Sequence, residues 1–279
     1  MKMRQMAKSL FPPIIVSGLR RLGGLLTAQI DSEVIRFVGD FASWADASAA
    51  STGYAASEIL EKTRTAMRKV RDGEAVYERD SIIFDETQHS FPLLAGLLRV
   101  ATANESRLSV LDFGGALGSS YFQCRQFLSV AKQLRWSVVE QPAHVACGQA
   151  EFANDELHFY GTIDECLVSE RPNVLLLSGV VQYLREPYKF LADSLRYKFD
   201  HVIVDRTAFM RDGGDHLTVQ HVPAWIYQAS YPAWFLLEER FLACFNHWYD
   251  LLASFPAPGS IQFDGREADY KGFMFKLKE

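Results

Sequence analysis

The spacing of hydrophobic residues along this 279-residue chain changes near residue 109. Upstream of that point, apolar residues recur at helical intervals with Glu, Lys and Arg opposite, which is typical of an amphipathic helix. The apolar face of the clearest such helix contains Ile59, Leu60, Met67 and Val70. A second helix is predicted at 91–103, and we expect the whole segment 31–108 to be helical.

From residue 109 onward, short β-branched runs alternate with helical segments. The predicted strands are 109–113, 136–140, 157–160, 174–177 and 201–205. The predicted helices between them are 119–132, 142–152, 164–169 and 187–197. Strands and helices that alternate at this spacing are typical of a parallel sheet with helices on both faces. The predicted fold class is therefore α/β, with a mostly parallel, twisted, Rossmann-like sheet.

The C-terminal part follows a different pattern. A helix is predicted at 238–246, and two strands, HWYDLLASF and GFMFKL, flank a connection rich in Pro, Gly and Asp at 256–269. We expect these strands to form an antiparallel hairpin at the end of the sheet. The predicted organisation is a helical N-terminal extension and cap at 1–108, followed by the Rossmann-like domain at 109–279.

Three glycines follow the first strand of the α/β part, in VLDFGGALGSSYF at 110–122. Gly114, Gly115 and Gly118 permit a tight bend and let a ligand approach the bare backbone. Open α/β sheets bind ligands beyond the carboxyl ends of their strands, where the chain turns into a helix. Asp112 either orders this turn or accepts hydrogen bonds from it.

Two common nucleotide motifs do not fit the turn. A dinucleotide fingerprint, G-x-G-x-x-G, counted from Gly114 would need glycines where Ala116 and Ser119 stand, and a Walker loop would need a Lys that is absent here. An acid does follow the second strand: Glu140 lies 22 residues after Gly118. A carboxylate at that strand end can accept hydrogen bonds from the hydroxyls of a ribose.

The glycine turn resembles motif I of class I S-adenosylmethionine (SAM)-dependent methyltransferases, with Ala116 in place of the middle glycine of its G-x-G-x-G core. In such enzymes the third strand is followed by residues that contact adenine, and the fourth by a segment that lines the cofactor pocket. The resemblance therefore implies SAM as the cofactor. The residues it assigns to SAM binding are Asp112, Gly114, Gly115, Gly118, Glu140, Gln141, Ile163, Asp164, Ser178 and Gly179.

Over nearly its whole length, the chain resembles a bacterial family of methyltransferases associated with O-antigen and other surface-polysaccharide biosynthesis. The stretches that carry this resemblance are SWADASAASTGY, YERDSIIFDETQHSFPLL, LDFGGALGSSYFQ, SVVEQP, SGVVQYL, VDRTAF and LTVQHVPAWIYQASYPAW. The resemblance implies O-methylation of a saccharide or of a glycan precursor, either a nucleotide sugar or a lipid-linked glycan.

Three residues are candidates for aligning or deprotonating the acceptor. His89 precedes the first α/β strand, in a segment that often closes over cofactor and acceptor, and a histidine pKa of about 6.5 suits a general base. A solvated helix cap is the equal alternative for it. Asp205 ends the fifth strand beside Arg206, and the two either bind the acceptor or pair with each other. Gln220 opens the aromatic-rich stretch 220–249, whose rings either stack on a sugar or fill the core.

Charge and cysteine content narrow the classes of function. The net charge of −5 argues against general nucleic-acid binding. The four cysteines form no CxxC pair, which argues against a disulfide framework or a zinc site and for a reducing compartment. Methyl transfer from a sulfonium needs alignment and, for a hydroxyl acceptor, a base. We therefore expect neither a metal nor a nucleophilic triad.

The first 30 residues carry five basic residues and no acid, which leaves −10 for the remainder. This apolar, basic segment is expected either to lie on an anionic membrane surface or to form a frayed or core-docked helix. It has the pattern of neither a signal peptide nor a membrane span. We therefore expect a cytoplasmic protein, peripheral at the inner face of the membrane under the first interpretation.

Two alternatives to the methyltransferase hypothesis remain open at this point. One is an NAD(P)-dependent, sugar-modifying Rossmann enzyme, which the broken glycine fingerprint disfavours. The other is a methyltransferase-like protein that has lost catalysis and serves as a scaffold in a membrane-bound assembly.

Overall fold

The computed structural model describes residues 35–279 apart from 54–55, 80, 85, 87–88, 228 and 264–265. The basic segment 1–30, for which membrane contact is predicted, lies outside the described residues. Within the described part of the chain, no helix is long and apolar enough to cross a membrane.

The helices and strands are numbered in chain order. They are β1 (Arg36–Val38), α1 (Trp44–Ala49), α2 (Ala56–Arg71), β2 (Tyr77–Arg79), β3 (Ile82–Phe84), α3 (Phe91–Ala103), β4 (Arg107–Phe113), α4 (Ser119–Leu128), β5 (Gln133–Val139), α5 (Pro142–Glu151), β6 (Leu157–Tyr160), α6 (Ile163–Ser169), β7 (Val174–Ser178), α7 (Pro187–Ser194), β8 (His201–Met210), β9 (His216–Val222), β10 (Ala229–Leu237), α8 (Glu238–Ala243), β11 (Tyr249–Phe263) and β12 (Arg266–Leu277). Short 3₁₀ turns lie at Val181–Tyr183 and Leu195–Tyr197.

Seven of the described strands form the central sheet, in the order β6-β5-β4-β7-β8-β12-β11. Strands β4 to β8 pair in parallel, whereas β12 and β11 are antiparallel. The predicted α/β class with a C-terminal antiparallel hairpin is confirmed. The chain runs from β4 out to β5 and β6, then returns to β7 on the other side of β4. The strand order therefore reverses between β4 and β7, and ligands bind at such a crevice in open α/β sheets.

Apolar side chains cover both faces of this sheet. In β7, Val174–Leu177 are all buried, as expected for a central strand between two layers of helices. One face packs Val110 and Trp136 against α3 and α4, and the other packs Leu177 and Phe273 against α6 to α8. Each fully buried side chain of this size contributes roughly 1.5–3 kcal/mol. The strand ends are thereby held in fixed positions.

Local sequence sets the beginnings of the helices that leave the carboxyl edge. In α5, Pro142 occupies the first turn, where its missing N–H is not needed. In α6, Thr162 and Glu165 form a reciprocal capping box. Both helices thus begin directly after their strands, and the connecting loops remain short.

The structure differs from the sequence-based expectation in the N-terminal part. Segment 31–108 is not helical throughout, because it also contains β1 and the hairpin of β2 with β3. Strand β1 pairs with β9, with Phe37 opposite Gln220. Strands of three residues are too short for an alternating pattern to appear, so tertiary pairing decides their conformation.

The C-terminal part also contains more strand than predicted. Strand β8 continues to Met210, β9 and β10 follow it, and the hairpin of β11 and β12 extends through the expected loop at 256–269. Pro256 lies within β11, which is an edge strand. An edge strand tolerates proline because the missing N–H faces away from the partner strand. A high proline content therefore did not indicate a loop here.

Strands β1, β9 and β10 extend the sheet beyond the carboxyl end of β7. The last pair between β7 and β8 is Ser178 with Asp205, whereas β10 joins β8 further along, at Phe209 and Met210. Because β12 occupies the other side of β8, β10 lies on the side of β7. The small antiparallel sheet is therefore next to the β4–β7 crevice.

Ion pairs fasten α2 to the central domain. The carboxylate of Glu151, at the end of α5, accepts hydrogen bonds from Arg64 at 2.7 Å and from Arg68 at 2.6 and 2.8 Å. Arg71 donates to the Glu151 carbonyl at 3.0 Å. The bonds from Arg68 and Arg64 lower the pKa of Glu151 to about 2, from a usual 4.5.

This lowered pKa predicts a pH dependence of stability. Since the folded chain binds the proton of Glu151 less readily than the unfolded chain, the ion pairs stabilise the fold above pH 4.5, and this contribution is lost as the pH falls toward about 2. We expect Glu151→Gln to lower the thermal unfolding temperature at about pH 6, and the difference from wild type to shrink at about pH 3. Glu105→Gln, at a 79% exposed carboxylate, is the control. An undiminished difference at the lower pH would contradict this account.

Candidate functional site

The glycine turn leads from β4 into α4 along a strained backbone. Gly114, Ala116 and Gly118 all have positive φ, at 73°, 51° and 92°. The N–H of Gly114 donates to the Val139 carbonyl of β5 at 2.9 Å, and Gly118 N–H donates to the Gly115 carbonyl at 2.9 Å. A left-handed conformation costs a non-glycine residue about 1–2 kcal/mol. Ala116 therefore adopts the bend that the motif usually assigns to glycine.

Two of the glycines are required by close packing. A Cβ on Gly115 would lie 2.5 Å from a carboxylate oxygen of Asp112, and one on Gly114 would lie 2.4 Å from a methyl carbon of Val180. No side chain larger than hydrogen fits at either position without displacing the loop. The backbone of the turn thus lies directly on Asp112 on one side and on the loop after β7 on the other.

Asp112 orders the turn from below. It is 1% exposed, and its carboxylate accepts a hydrogen bond from the indole N–H of Trp136 at 3.0 Å. Burial raises the pKa of Asp112 to about 7, against the effect of the Trp136 bond and of the Arg206 charge, while the Glu140 charge raises the pKa further. A ligand at the turn would therefore interact with Asp112 through its charge, because the side chain is covered.

Glu140 lies on the same rim as the glycine turn. The residue before it, Val139, accepts the bond from Gly114, so the ends of β4 and β5 are fixed together. The half-buried Glu140 carboxylate accepts a bond from the N–H of Gln141 at 2.6 Å. Gln141 is exposed and is the N-cap residue of α5.

Ile163 and Asp164 follow β6 on the next part of the rim. Ile163 is half-buried and lines a groove of about 360 Å³ beside α7, together with Leu184 and Phe190. Asp164 is exposed and accepts a bond from the Tyr197 hydroxyl at 2.6 Å. The exposed side chains of Arg185, Glu186, Lys189 and Asp193 also line the groove, so it combines an apolar side with a charged edge.

A β-bulge shapes the rim after β7 and β8. Between Lys271–Thr207 and Phe273–Val204 the register shifts, so Asp205 and Arg206 together face a single residue of β12. Arg206 has φ of 51°, and bulges of this kind redirect side chains. Its guanidinium lies 3.3 Å from where a Cβ on Gly179 would be, and its Nε is 3.4 Å from the hydroxyl of Ser178.

Asp205 is a buried part of the same cluster. It is 2% exposed, its backbone carbonyl accepts a bond from Gly179 N–H at 2.9 Å, and its carboxylate accepts a bond from the Ser178 hydroxyl at 3.4 Å. Burial raises its pKa, whereas the charge of Arg206 lowers it. Asp205 therefore acts on its neighbours Ser178 and Arg206.

Gln220 lies deeper than its sequence indicated. It was expected at an accessible acceptor site, yet it is 4% exposed. Its amide oxygen accepts a bond from the Tyr183 hydroxyl at 2.9 Å, and its amide N–H₂ lies 3.4 Å from the Tyr231 hydroxyl. Because β9 lies between β1 and β10, this side chain is enclosed in a cluster of tyrosines, which Tyr227 completes at 3.2 Å from Tyr231.

His89 lies beside the rim and faces a separate cavity. Its ring contacts Phe127 at 4.9 Å between centroids and Phe91 at 5.7 Å. Its Nδ1 is buried and has no hydrogen-bond partner among the residues that the structure describes. The cavity, of about 320 Å³, is also lined by Glu78 and by Ser119, the first residue of α4.

The sequence analysis missed Glu78, which is 2% exposed. Its carboxylate accepts a bond from the Ser119 hydroxyl at 2.6 Å and one from Ser81 N–H at 2.6 Å. A single acid in a three-residue strand gives no pattern that marks it as buried. The bond from Trp136 to Asp112 was also missed, although both residues were singled out, because periodicity does not show which side chains meet.

No family model and no curated protein matches this chain. The N-terminal domain of EvdMO1, crystallised in the presence of S-adenosylhomocysteine (SAH) and D-fucose, is 14% identical over 81% of this chain and 98% of that one, with a TM-score of 0.45. N-methyltransferase NodS from Bradyrhizobium japonicum, in complex with SAH, is 14% identical. The match covers 78% of this chain and 99% of that one, with a TM-score of 0.43. Magnesium protoporphyrin IX methyltransferase from Synechocystis, with bound SAM, is 12% identical. The match covers 67% of this chain and 77% of that one, with a TM-score of 0.42. Similarity at this level does not by itself assign a function.

Proposed function

We propose that this chain is a class I SAM-dependent methyltransferase that methylates a hydroxyl group of a saccharide acceptor. One observation carries the proposal. Acidic side chains lie next to the glycine turn, Asp112 beneath Gly115, Glu140 after the Val139 that Gly114 contacts, and Glu78 at Ser119. Burial raises the pKa of Asp112 to about 7, and a cation bound beside it would favour its ionised form. Such a rim favours a cationic ligand, and the sulfonium of SAM is a cation.

The residues on the rim fit the separate parts of this cofactor. The bare backbone at Gly114 and Gly115 admits the chain that carries the sulfonium. Glu140 presents a carboxylate for the two ribose hydroxyls. The groove beside Ile163, with Leu184 and Phe190 on its apolar side, is large enough for a purine, since its volume is about 360 Å³. When bound, SAM supplies an activated methyl group, which passes from sulfur to the acceptor oxygen and leaves a neutral thioether.

The same rim argues against the NAD(P) alternative. Dinucleotide folds bind a pyrophosphate at the N-terminus of the helix that follows the first strand. Here the Glu78 carboxylate lies at that position, 2.6 Å from the Ser119 hydroxyl in the first turn of α4. A buried carboxylate repels phosphate, so the helix terminus is already occupied by an anion of the protein itself.

For the acceptor side, we assign His89 as the general base. The His89 imidazole lines the cavity beside Ser119, and its Nδ1 has no hydrogen-bond partner among the described residues, so it can take up the proton of the acceptor hydroxyl while the carbon–oxygen bond forms. Asp205 and Gln220 are buried, so we assign them to positioning, Asp205 through Arg206 and Gln220 through Tyr183. The catalytic contribution of the protein is then mainly alignment.

One further observation supports a saccharide as the acceptor. The indole of Trp225 is 46% exposed next to the tyrosine cluster, which suits stacking on a sugar ring. The turn that carries it is held to α2 by a bond from Lys62 Nζ to the Ile226 carbonyl at 3.0 Å. The proposal also includes a role in surface-polysaccharide synthesis, which rests on the sequence motifs. It places the protein in the cytoplasm at a membrane surface that residues 1–30 contact, which rests on the basic charge of that segment.

Titration calorimetry tests the cofactor assignment. We expect SAM and SAH to bind the wild type, and NAD⁺ and NADP⁺ to give no heat. Glu140→Ala should weaken SAM binding roughly 10- to 100-fold, because each hydrogen bond to a charged group contributes about 1.5–3 kcal/mol. Glu105→Ala, at an exposed acid before β4, should bind as the wild type does. Unchanged SAM affinity in Glu140→Ala, or binding of NAD⁺ alone, would refute the assignment.

Transfer of a tritiated methyl group from SAM to a surface-glycan extract of the source cells tests the reaction. We expect the wild type to label one glycan fraction, and His89→Gln to lower the rate roughly 10²- to 10⁴-fold with SAH affinity unchanged. His247→Gln, at an exposed histidine, is the control. Tight SAM binding without transfer to any fraction would favour the non-catalytic scaffold.

A further inference from the structure

A second cavity adjoins the glycine turn on the face of the sheet that carries α2 and α4. It begins at Ser119, one residue beyond Gly118, and continues between α2, β2 and α4. Its volume of about 320 Å³ is at the lower end of the roughly 300–1,000 Å³ typical of small-molecule sites. The space is sufficient for a single sugar ring.

The walls of this cavity are aromatic and its floor is anionic. Tyr77 and Phe122 contribute ring surfaces, and the Gln123 amide donates to the Tyr77 hydroxyl at 3.1 Å. Glu78 forms the floor as a carboxylate that is 2% exposed. Arg125 is exposed at the mouth, with its guanidinium 4.9 Å from the centroid of the Phe122 ring. The positive charge is therefore at the solvent end, and the negative charge is inside.

Hydrogen-bond requirements identify the chemistry of the ligand. Each Glu78 oxygen already accepts one bond from the protein, from Ser81 N–H and from the Ser119 hydroxyl, and a carboxylate has about four acceptor sites, so the floor suits a ligand that brings hydroxyl or amine donors. His89 lies on the wall of the same space, and its buried Nδ1 has no hydrogen-bond partner in the described part of the chain. Buried polar atoms are nearly always satisfied, and a ligand hydroxyl is a suitable donor for this one.

We infer that this cavity is the acceptor pocket and that it binds an uncharged pyranose ring. One hydroxyl of the ring donates a hydrogen bond to the Glu78 carboxylate, and the ring stacks on Phe122. The inference rests on the proposed function, which it extends by locating the acceptor and specifying its charge. His89, the assigned base, lies on the wall of this pocket. Ser119 joins the pocket to the turn that binds the cofactor.

Saturation-transfer NMR on the full chain, saturated with SAH, tests the pocket. The probes are the methyl pyranosides of gluco, galacto, manno and 6-deoxygalacto configuration. We expect at least one probe to bind, and its dissociation constant to rise roughly tenfold or more in Glu78→Gln, which removes a charged acceptor. Gln123→Ala should weaken the same probe. Glu74→Gln, at an exposed acid four residues before Glu78, should bind it as the wild type does.

Calorimetry with SAH separates the two hypotheses. If SAH binds every variant normally but no probe binds, or probe binding is unchanged in both Glu78→Gln and Gln123→Ala, the pocket inference is overturned and the cofactor assignment stands. If SAH does not bind the wild type, the proposed function fails, and the same titrations without SAH then decide the pocket alone.

Discussion

The structure of this site depends on a buried carboxylate beneath a bare backbone. Asp112 accepts a bond from the Trp136 indole across β4 and β5, and the glycine turn rests on the same carboxylate so closely that Gly115 cannot carry a Cβ. That contact fixes the height of the turn above the sheet. Through the bond from Gly114 to Val139, it also fixes Glu140 on the same rim.

The charged side chains around the glycine turn then restrict which ligands can bind there. The N-terminal end of α4, where anions commonly bind, already faces a carboxylate of the protein, that of Glu78. Arg206, redirected by the bulge in β8, offsets part of this charge. Under the proposed function, this arrangement favours a cationic ligand, which distinguishes a sulfonium nucleoside from a dinucleotide more sharply than the glycine spacing does.

The sequence predicted the parts of the fold that local patterns determine. The parallel strands and their helices were predictable because buried β-branched runs alternate with amphipathic segments, and the glycine turn because few residues tolerate its backbone. The long hairpin was underestimated because Pro256 is tolerated on an edge strand. The burial of Gln220 and Glu78 depends on elements far apart in the chain, strand β1 with strand β9 and strand β2 with helix α4, and no local pattern reports such contacts.

A crystal structure of the chain with SAH bound tests the central claim most directly. The account predicts that the ribose hydroxyls lie within hydrogen-bond distance of the Glu140 carboxylate and that the purine lies beside Ile163. It also predicts that the sulfur lies against the backbone of Gly114 and Gly115. A nucleoside bound away from the β4–β7 crevice, with Glu140 in contact only with solvent, would contradict the account.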